Sequence, residues 1–268
     1  MFKHIATDVR EMLVEQVEYR DLLYQMTMRD LLLRYKQTVM GFAWALFTPL
    51  INTVVFSVIF TRVTQVDTGA TPYPLFAFTG LLVWTFLASS LRFSLTSLSS
   101  NSVLVGKVYF PREIFPFSTV IVAFVDFLVA SIVLVGMMIY YRTPVTAAIL
   151  WLPAVIAVQI AFTTGVALML AMANLFYRDV KYLFEVVITV WMFGTSVVYP
   201  IAAVGGRLGT LLHLNPMTPI VEAYRDVLLR GKAPLTVEFA AVAAGSVVLL
   251  AVSWLRFHRA EFEFAENV

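Results

Sequence analysis

Three ionisable residues interrupt otherwise apolar stretches and are the first candidates for chemistry: Arg92, Asp126 and Glu185. A charge inside hydrocarbon is costly and by default marks an ion or proton pathway. Three is a small set for a proton-coupled carrier. Asp126 reads first as a packing or partner contact with a neighbouring helix, and Arg92 can reach back to the inner headgroups. Other chemistries fail on residue type. The chain has no cysteine, which removes thiol catalysis, disulfides and thiolate metal sites. Its three histidines, His4, His213 and His258, lie outside the apolar stretches. No His–Glu cluster has metal-ligand spacing and no hydroxyl nucleophile has a histidine partner, so neither a metal site nor a catalytic site is expected. Two Gly-Lys pairs occur, Gly106-Lys107 and Gly231-Lys232, but Asn101 and Asp226 stand where a phosphate-binding loop needs its first glycine. The chain therefore does not bind ATP by such a loop.

Three further groups of residues invite binding rather than catalysis. Arg29, Arg34 and Lys36 alternate with Leu and Tyr, which suits basic heads held near lipid phosphates. Trp44, Phe47, Trp84, Trp191, Phe193 and Tyr199 fall in or near three apolar stretches. They read either as an interfacial belt or as a surface over which pyranose rings slide on their C–H faces, and residue type alone does not separate the two. The segment holding Lys107, Tyr109, Phe110, Pro111, Arg112 and Glu113 is too hydrophobic for a passive loop. It reads as a knob for a groove on a partner protein, or as a simple interfacial anchor.

The elements that must position these residues follow from composition. Of 268 residues, 60% are apolar and only 13% charged, about half the charged share of an average soluble domain. Mean hydropathy is +0.84. The chain lacks the polar surface of a soluble enzyme and reads as an all-α integral membrane protein that spans the bilayer several times. The net charge is +2, with 19 basic residues scattered over many loops, so no nucleic-acid partner is expected. Residues 1–39 read as a mature cytoplasmic segment, not a signal peptide, because acids interrupt them throughout. Within it, residues 8–35 predict an amphipathic interface helix with Glu11, Glu15 and Glu18 on one face and Val9, Met12, Leu13 and Val17 largely on the other. Six spans are expected at 40–63, 75–99, 115–141, 147–176, 182–200 and 237–255. Residues 201–235 are broken by Gly205-Gly206, Asn215-Pro216, Pro219 and Pro234, and predict short external re-entrant helices before the sixth span. Lys and Arg divide twelve to six in favour of the N-terminal side, Arg92 being left out as lying within a span, which predicts both termini inside.

Taken in order, several segments resemble one family. The run Arg34-Tyr35-Lys36-Gln37-Thr38-Val39-Met40-Gly41-Phe42-Ala43-Trp44, preceded by Arg29-Asp30, resembles the opening of ABC-2 type polysaccharide export permeases. Lys107-Val108-Tyr109-Phe110-Pro111-Arg112-Glu113 resembles their cytoplasmic connector, and Asn174 with Tyr177-Arg178-Asp179-Val180 their inner loop after the fourth span. Val198-Tyr199-Pro200 and Asn215-Pro216-Met217-Thr218-Pro219 resemble the outer end of the fifth span and the re-entrant segment. The ordered set covers nearly the whole chain. The resemblance implies a homodimeric permease in the bacterial cytoplasmic (inner) membrane that binds two copies of a separate ATPase, which holds the ATP and Mg. Its substrate would be a polysaccharide on an undecaprenyl-type lipid pyrophosphate, O-antigen ahead of teichoic acid or capsule. Lys107 to Glu113 would couple to the ATPase, Arg29, Arg34 and Lys36 would meet the pyrophosphate at the entrance, and the six aromatics would line the channel. A drug or lipid exporter of the same kind, a proton-coupled carrier acting through Asp126 and a membrane glycosyltransferase are the competing readings.

Overall fold

In lipid each backbone N–H and C=O must be satisfied within its own segment, so apolar stretches of this length can only be helical. The computed structural model describes residues 10–12, 14–36, 41, 43–60, 68–69, 71–107, 110–201 and 204–267, with side chains at 45, 107, 207–208, 210–211, 262–263 and 265–267 outside that description. The regular elements among these residues are all helical. In chain order they are α1 (Arg20–Tyr35), α2 (Ala43–Val58), α3 (Tyr73–Ser97), α4 (Ser102–Lys107), α5 (Ile114–Tyr140), α6 (Leu152–Phe176), α7 (Val180–Phe193), α8 (Gly206–Leu214), α9 (Met217–Arg225) and α10 (Val237–Asn267). Four segments among the described residues are long and apolar enough to cross a membrane: Tyr73–Ser97, Ile114–Tyr140, Ala147–Phe176 and Val237–Glu261. Leu46–Val58 is apolar but shorter.

Helix α3 is the centre of the bundle. Pro72 and Pro74 open it, where the missing N–H costs nothing, and residues on every face of it are buried. Helices α2, α5, α6, α7 and α9 all touch it. Helix α5 shows how a span divides its faces. Val120, Ala123, Phe127, Ala130, Leu134 and Met138 recur every three or four residues and are buried, while Ile121, Leu128, Ile132, Val135 and Ile139 on the other side are exposed. Both faces are apolar, one toward protein and one toward lipid. Helices α6 and α10 pack closely at Gly165. A Cβ there would lie 3.0 Å from the Leu249 side chain and 3.1 Å from the Leu250 backbone nitrogen.

Two boundaries depart from those expected. The stretch expected to span 182–200 is helical only to Phe193, where Gly194 ends α7. Helix α10, expected to stop near 255, continues to Asn267. The re-entrant segment forms α8, α9 and a wide turn at Asp226–Arg230, ended by Gly231 in the left-handed conformation at φ 65°. In the helical stretch before α1, Met12 is buried and Val17 exposed, and Glu15, expected on a polar face, is partly buried with its carboxylate 3.9 Å from His258.

Candidate functional site

The end of α1 closes one side of a cavity of about 260 Å³ between α2, α3 and α5. Trp44, Thr48, Thr85, Phe86, Ser89 and Asp126 are among its lining residues, so aromatic faces and small hydroxyls share its wall. At its mouth the Arg34 guanidinium pairs with the Asp126 carboxylate, and the Tyr35 hydroxyl donates to the other oxygen of the same group. Arg34 also lies over the Phe93 ring, 3.9 Å from its centroid. Burial and then the hydrogen bond to Asp126 push the Tyr35 phenol above its ordinary range, so it stays a donor. Asp126 is thus a contact with a neighbouring helix, as its first reading held. The other charges of the spans are paired too. Arg92 on α3 donates to both Glu185 oxygens on α7, at 2.8 and 2.9 Å. Each of the two acids expected inside the membrane is therefore held by an arginine.

The remaining basic candidates divide. Arg29 pairs with Asp30 at 2.8 Å, and Asp30 also accepts from Ser118 at 3.0 Å. Lys36 is exposed at the end of α1. The aromatics divide as well. Trp44, Phe47 and Phe193 are exposed, whereas Trp84 is core, packed edge-on against Trp191 with ring centroids 5.9 Å apart. Trp191 donates to the Asn215 side chain at 2.9 Å, and the Tyr199 hydroxyl to the Phe193 carbonyl at 2.6 Å.

The connector is more internal than its sequence suggests. Phe110 and Pro111 are buried, and Phe110 packs against Phe115 within an apolar cluster shared with Phe257 and Phe264. Glu113 is fully buried and accepts from Trp254 Nε1 at 3.2 Å. Arg112 donates to the Glu261 backbone carbonyl. Tyr109 lies outside the described residues, as does the Lys107 side chain. The outward face next to them is Val103 and Gly106 on α4.

Sequence reasoning missed the feature that ties the re-entrant segment down. Arg225, counted as an outward-facing charge, is completely buried. Its Nη1 donates to the Ser196 carbonyl at 2.6 Å and to Glu222 at 2.7 Å. Its Nη2 donates to the Val197 carbonyl at 2.6 Å and the Phe76 carbonyl at 3.3 Å, and its guanidinium stacks 3.4 Å from the Phe76 ring centroid. The signal available was Glu222 and Arg225 at helical i, i+3 spacing. Asn215 completes the joint. Its side-chain nitrogen donates to the Gly194 carbonyl and Thr195 hydroxyl, and its oxygen caps the Met217 N–H at 3.0 Å. Among the described residues no histidine lines the cavity, but the fold does gather metal-capable donors elsewhere, at Glu15, Glu113 and His258, which are far apart in sequence.

Residues 21–229 match the family described as ABC-2 type transporter. That span takes in α1, the connector, the cavity and the Arg225 joint. The chain belongs to the ABC-2 type transporter family. It is also similar end to end to curated proteins. It is 30% identical over 257 residues to the O-antigen export system permease protein RfbA of Myxococcus xanthus, covering 95% of this chain and 98% of that protein. Two proteins of the same description from Klebsiella pneumoniae are each 29% identical over 248 residues, covering 92% of this chain and 94% of theirs. The family and the apolar helices together make the chain a multi-pass membrane protein.

Proposed function

We propose that the chain is the membrane subunit of an ATP-driven exporter that carries a lipid-linked O-antigen polysaccharide across the bacterial cytoplasmic (inner) membrane. The observation that carries this reading is near full-length similarity to three proteins described as O-antigen export permeases, which favours O-antigen over teichoic acid or capsule. The paired state of Asp126 and Glu185 speaks against a proton-coupled carrier.

In this reading α2 and α7 complete a set of six spans with both termini inside. Two copies of the chain enclose the path, and a separate ATPase sits under each connector. The outward face of α4 and Arg112 meets the ATPase, while Phe110, Pro111 and Glu113 anchor the connector to α10, so that its motion moves the bundle. Exposed Trp44, Phe47 and Phe193 are suited to a sliding sugar chain. Trp84 instead supports Trp191 from behind. Arg29, Arg34 and Lys36 stand at the entrance, with Lys36 the most accessible to an undecaprenyl-type pyrophosphate.

The test is co-purification from native membranes with a tag on this chain. A stoichiometric ATPase bearing a phosphate-binding loop, whose yield falls on Arg112→Glu, is expected. A clean preparation without ATP hydrolysis would remove the exporter reading.

A further inference from the structure

Away from the cavity, at the connector end of the bundle, acids and a histidine from three separate segments converge. Glu15 comes from the helical stretch before α1, Glu113 from the residue preceding α5, and His258 and Glu261 from α10, about one turn apart. His258 Nδ1 lies 3.8 Å from Glu113 Oε1 and 3.9 Å from Glu15 Oε2. The ligand atoms of Glu15, Glu113 and His258 all fall within 4.8 Å of one another. Glu261 is close enough to act electrostatically on Glu113 and is itself buried.

Glu15 is partly exposed and Glu113 Oε1 is taken by Trp254, but several polar atoms of the cluster are buried without a close hydrogen bond among the described residues. Glu113 has no exposed surface, and its Oε2 takes no hydrogen bond from the described residues. Glu15 Oε2, Glu261 Oε2 and His258 Nδ1 are likewise buried without a hydrogen-bond partner among the described residues. Arg112, the neighbouring guanidinium, directs its Nη1 to the Glu261 backbone carbonyl. Three carboxylates face one imidazole, and buried charge of one sign persists only when a cation or protons neutralise it.

The spacings decide which. An imidazolium held directly by carboxylates closes to about 2.8 Å, and both contacts here are about an ångström longer than that charge-assisted distance. An ion with nitrogen and oxygen ligands at about 2.1 Å in tetrahedral array holds adjacent ligand atoms about 3.4 Å apart. The His258 nitrogen lies about half an ångström beyond that spacing from each carboxylate oxygen, and the three ligand atoms stay within 4.8 Å of one another. One imidazole nitrogen with carboxylate oxygens is a donor set for a first-row transition ion rather than for Ca²⁺ or Mg²⁺. We propose that Glu15, Glu113 and His258, with Glu261 beside them, form a site for a divalent metal ion of the zinc class. The ion would clamp the segment before α1, the connector and α10 to one another. The inference does not depend on the transport role.

The experiment uses the full chain, purified in detergent with chelator and then dialysed. Co²⁺ titration is followed by visible absorption, and bound metal is counted by elemental analysis. The expected result is one ion per chain, with absorption bands that Zn²⁺ displaces. His258→Ala should abolish the bands. Glu15→Gln, at a partly exposed position that spares the interior, should keep the helix content and melting behaviour of the metal-free protein while weakening Co²⁺ binding by about tenfold or more. Wild-type protein that retains no ion, or Co²⁺ affinity unchanged in both variants, would overturn the site. So would stability that follows pH but not added metal, because protons would then be the neutralising charge.

Discussion

Replacing Arg225 by Met tests whether one buried cation holds the re-entrant segment against α3. The side chain is wholly inside the protein and serves four acceptors. Ser196 and Val197 lie in the non-helical turn after α7, so their carbonyls lose the donor they have. Each stranded acceptor costs about 1–3 kcal/mol. Glu222 is not stranded, because Arg230 remains 2.8 Å from its second oxygen. The expected loss for the two carbonyls is therefore about 2–6 kcal/mol, overlapping the range for removing one partner of a buried pair. Gly80→Ala probes the same joint from the other side. Its Cβ would sit 2.2 Å from the Val197 carbonyl oxygen and 2.7 Å from Arg225 Nη2, so backbone must move. That overpacking costs about 1–3 kcal/mol. The two losses should be less than additive, since either change displaces the same turn. Equilibrium unfolding in mixed micelles measures the energies, and limited proteolysis across 194–235 reports the release. An Arg225→Met protein within about 0.5 kcal/mol of wild type, or strict additivity with Gly80→Ala, would refute the reasoning.

Other parts of the structure give expectations of their own. Asp126→Asn leaves Arg34 half-satisfied, so α1 should become more protease-sensitive and stability should fall by about 1–3 kcal/mol, while any export it retains stays dependent on ATP. Gly165→Val forces α6 from α10 and should cost about 1–3 kcal/mol, read by the same unfolding titration. Arg112→Ala should lower ATP-driven transport by about 5–150-fold with the chain still folded, whereas Glu113→Lys should fail by misfolding, because that carboxylate has no exposed surface. At Glu222 burial works to raise the carboxyl, but Arg225 and Arg230 outweigh it and hold it below the ordinary range. A lowered folded value means that its contribution is present at neutral pH and is lost as pH falls below about 4, and Glu222→Gln should flatten that acid limb of the stability curve.

The long spans were legible because helical periodicity survives in composition. The buried series Val120 to Met138 on α5 recurs at the spacing a helix demands, and Asp126 was recognisable as a residue needing a partner. Periodicity did not say which apolar face meets protein and which meets lipid, since both are equally apolar. Phe110 read as part of a partner knob or an interfacial anchor, and its packing inside its own chain against Phe115 was not visible in the pattern. Charges were misread for a related reason. A count of Lys and Arg treats each as solvated, but Arg225 is buried by partners from α3, the turn after α7 and α9, which only the tertiary fold brings together. Glu15 fits a solvated stripe by spacing, yet its carboxylate lies 3.9 Å from His258, 243 residues on, which only the tertiary fold brings close. The Gly194 carbonyl that ends α7 accepts from Asn215, 21 residues on, a contact that local sequence does not reveal.

Export of a lipid-linked O-antigen by this chain is tested by deleting the gene from its own cell and measuring surface polysaccharide and lipid-linked polysaccharide separately. Surface O-antigen should disappear while lipid-linked chains accumulate inside, and wild-type protein should restore export whereas Arg112→Glu should not. O-antigen persisting at normal levels on the surface of the deletion strain would contradict it.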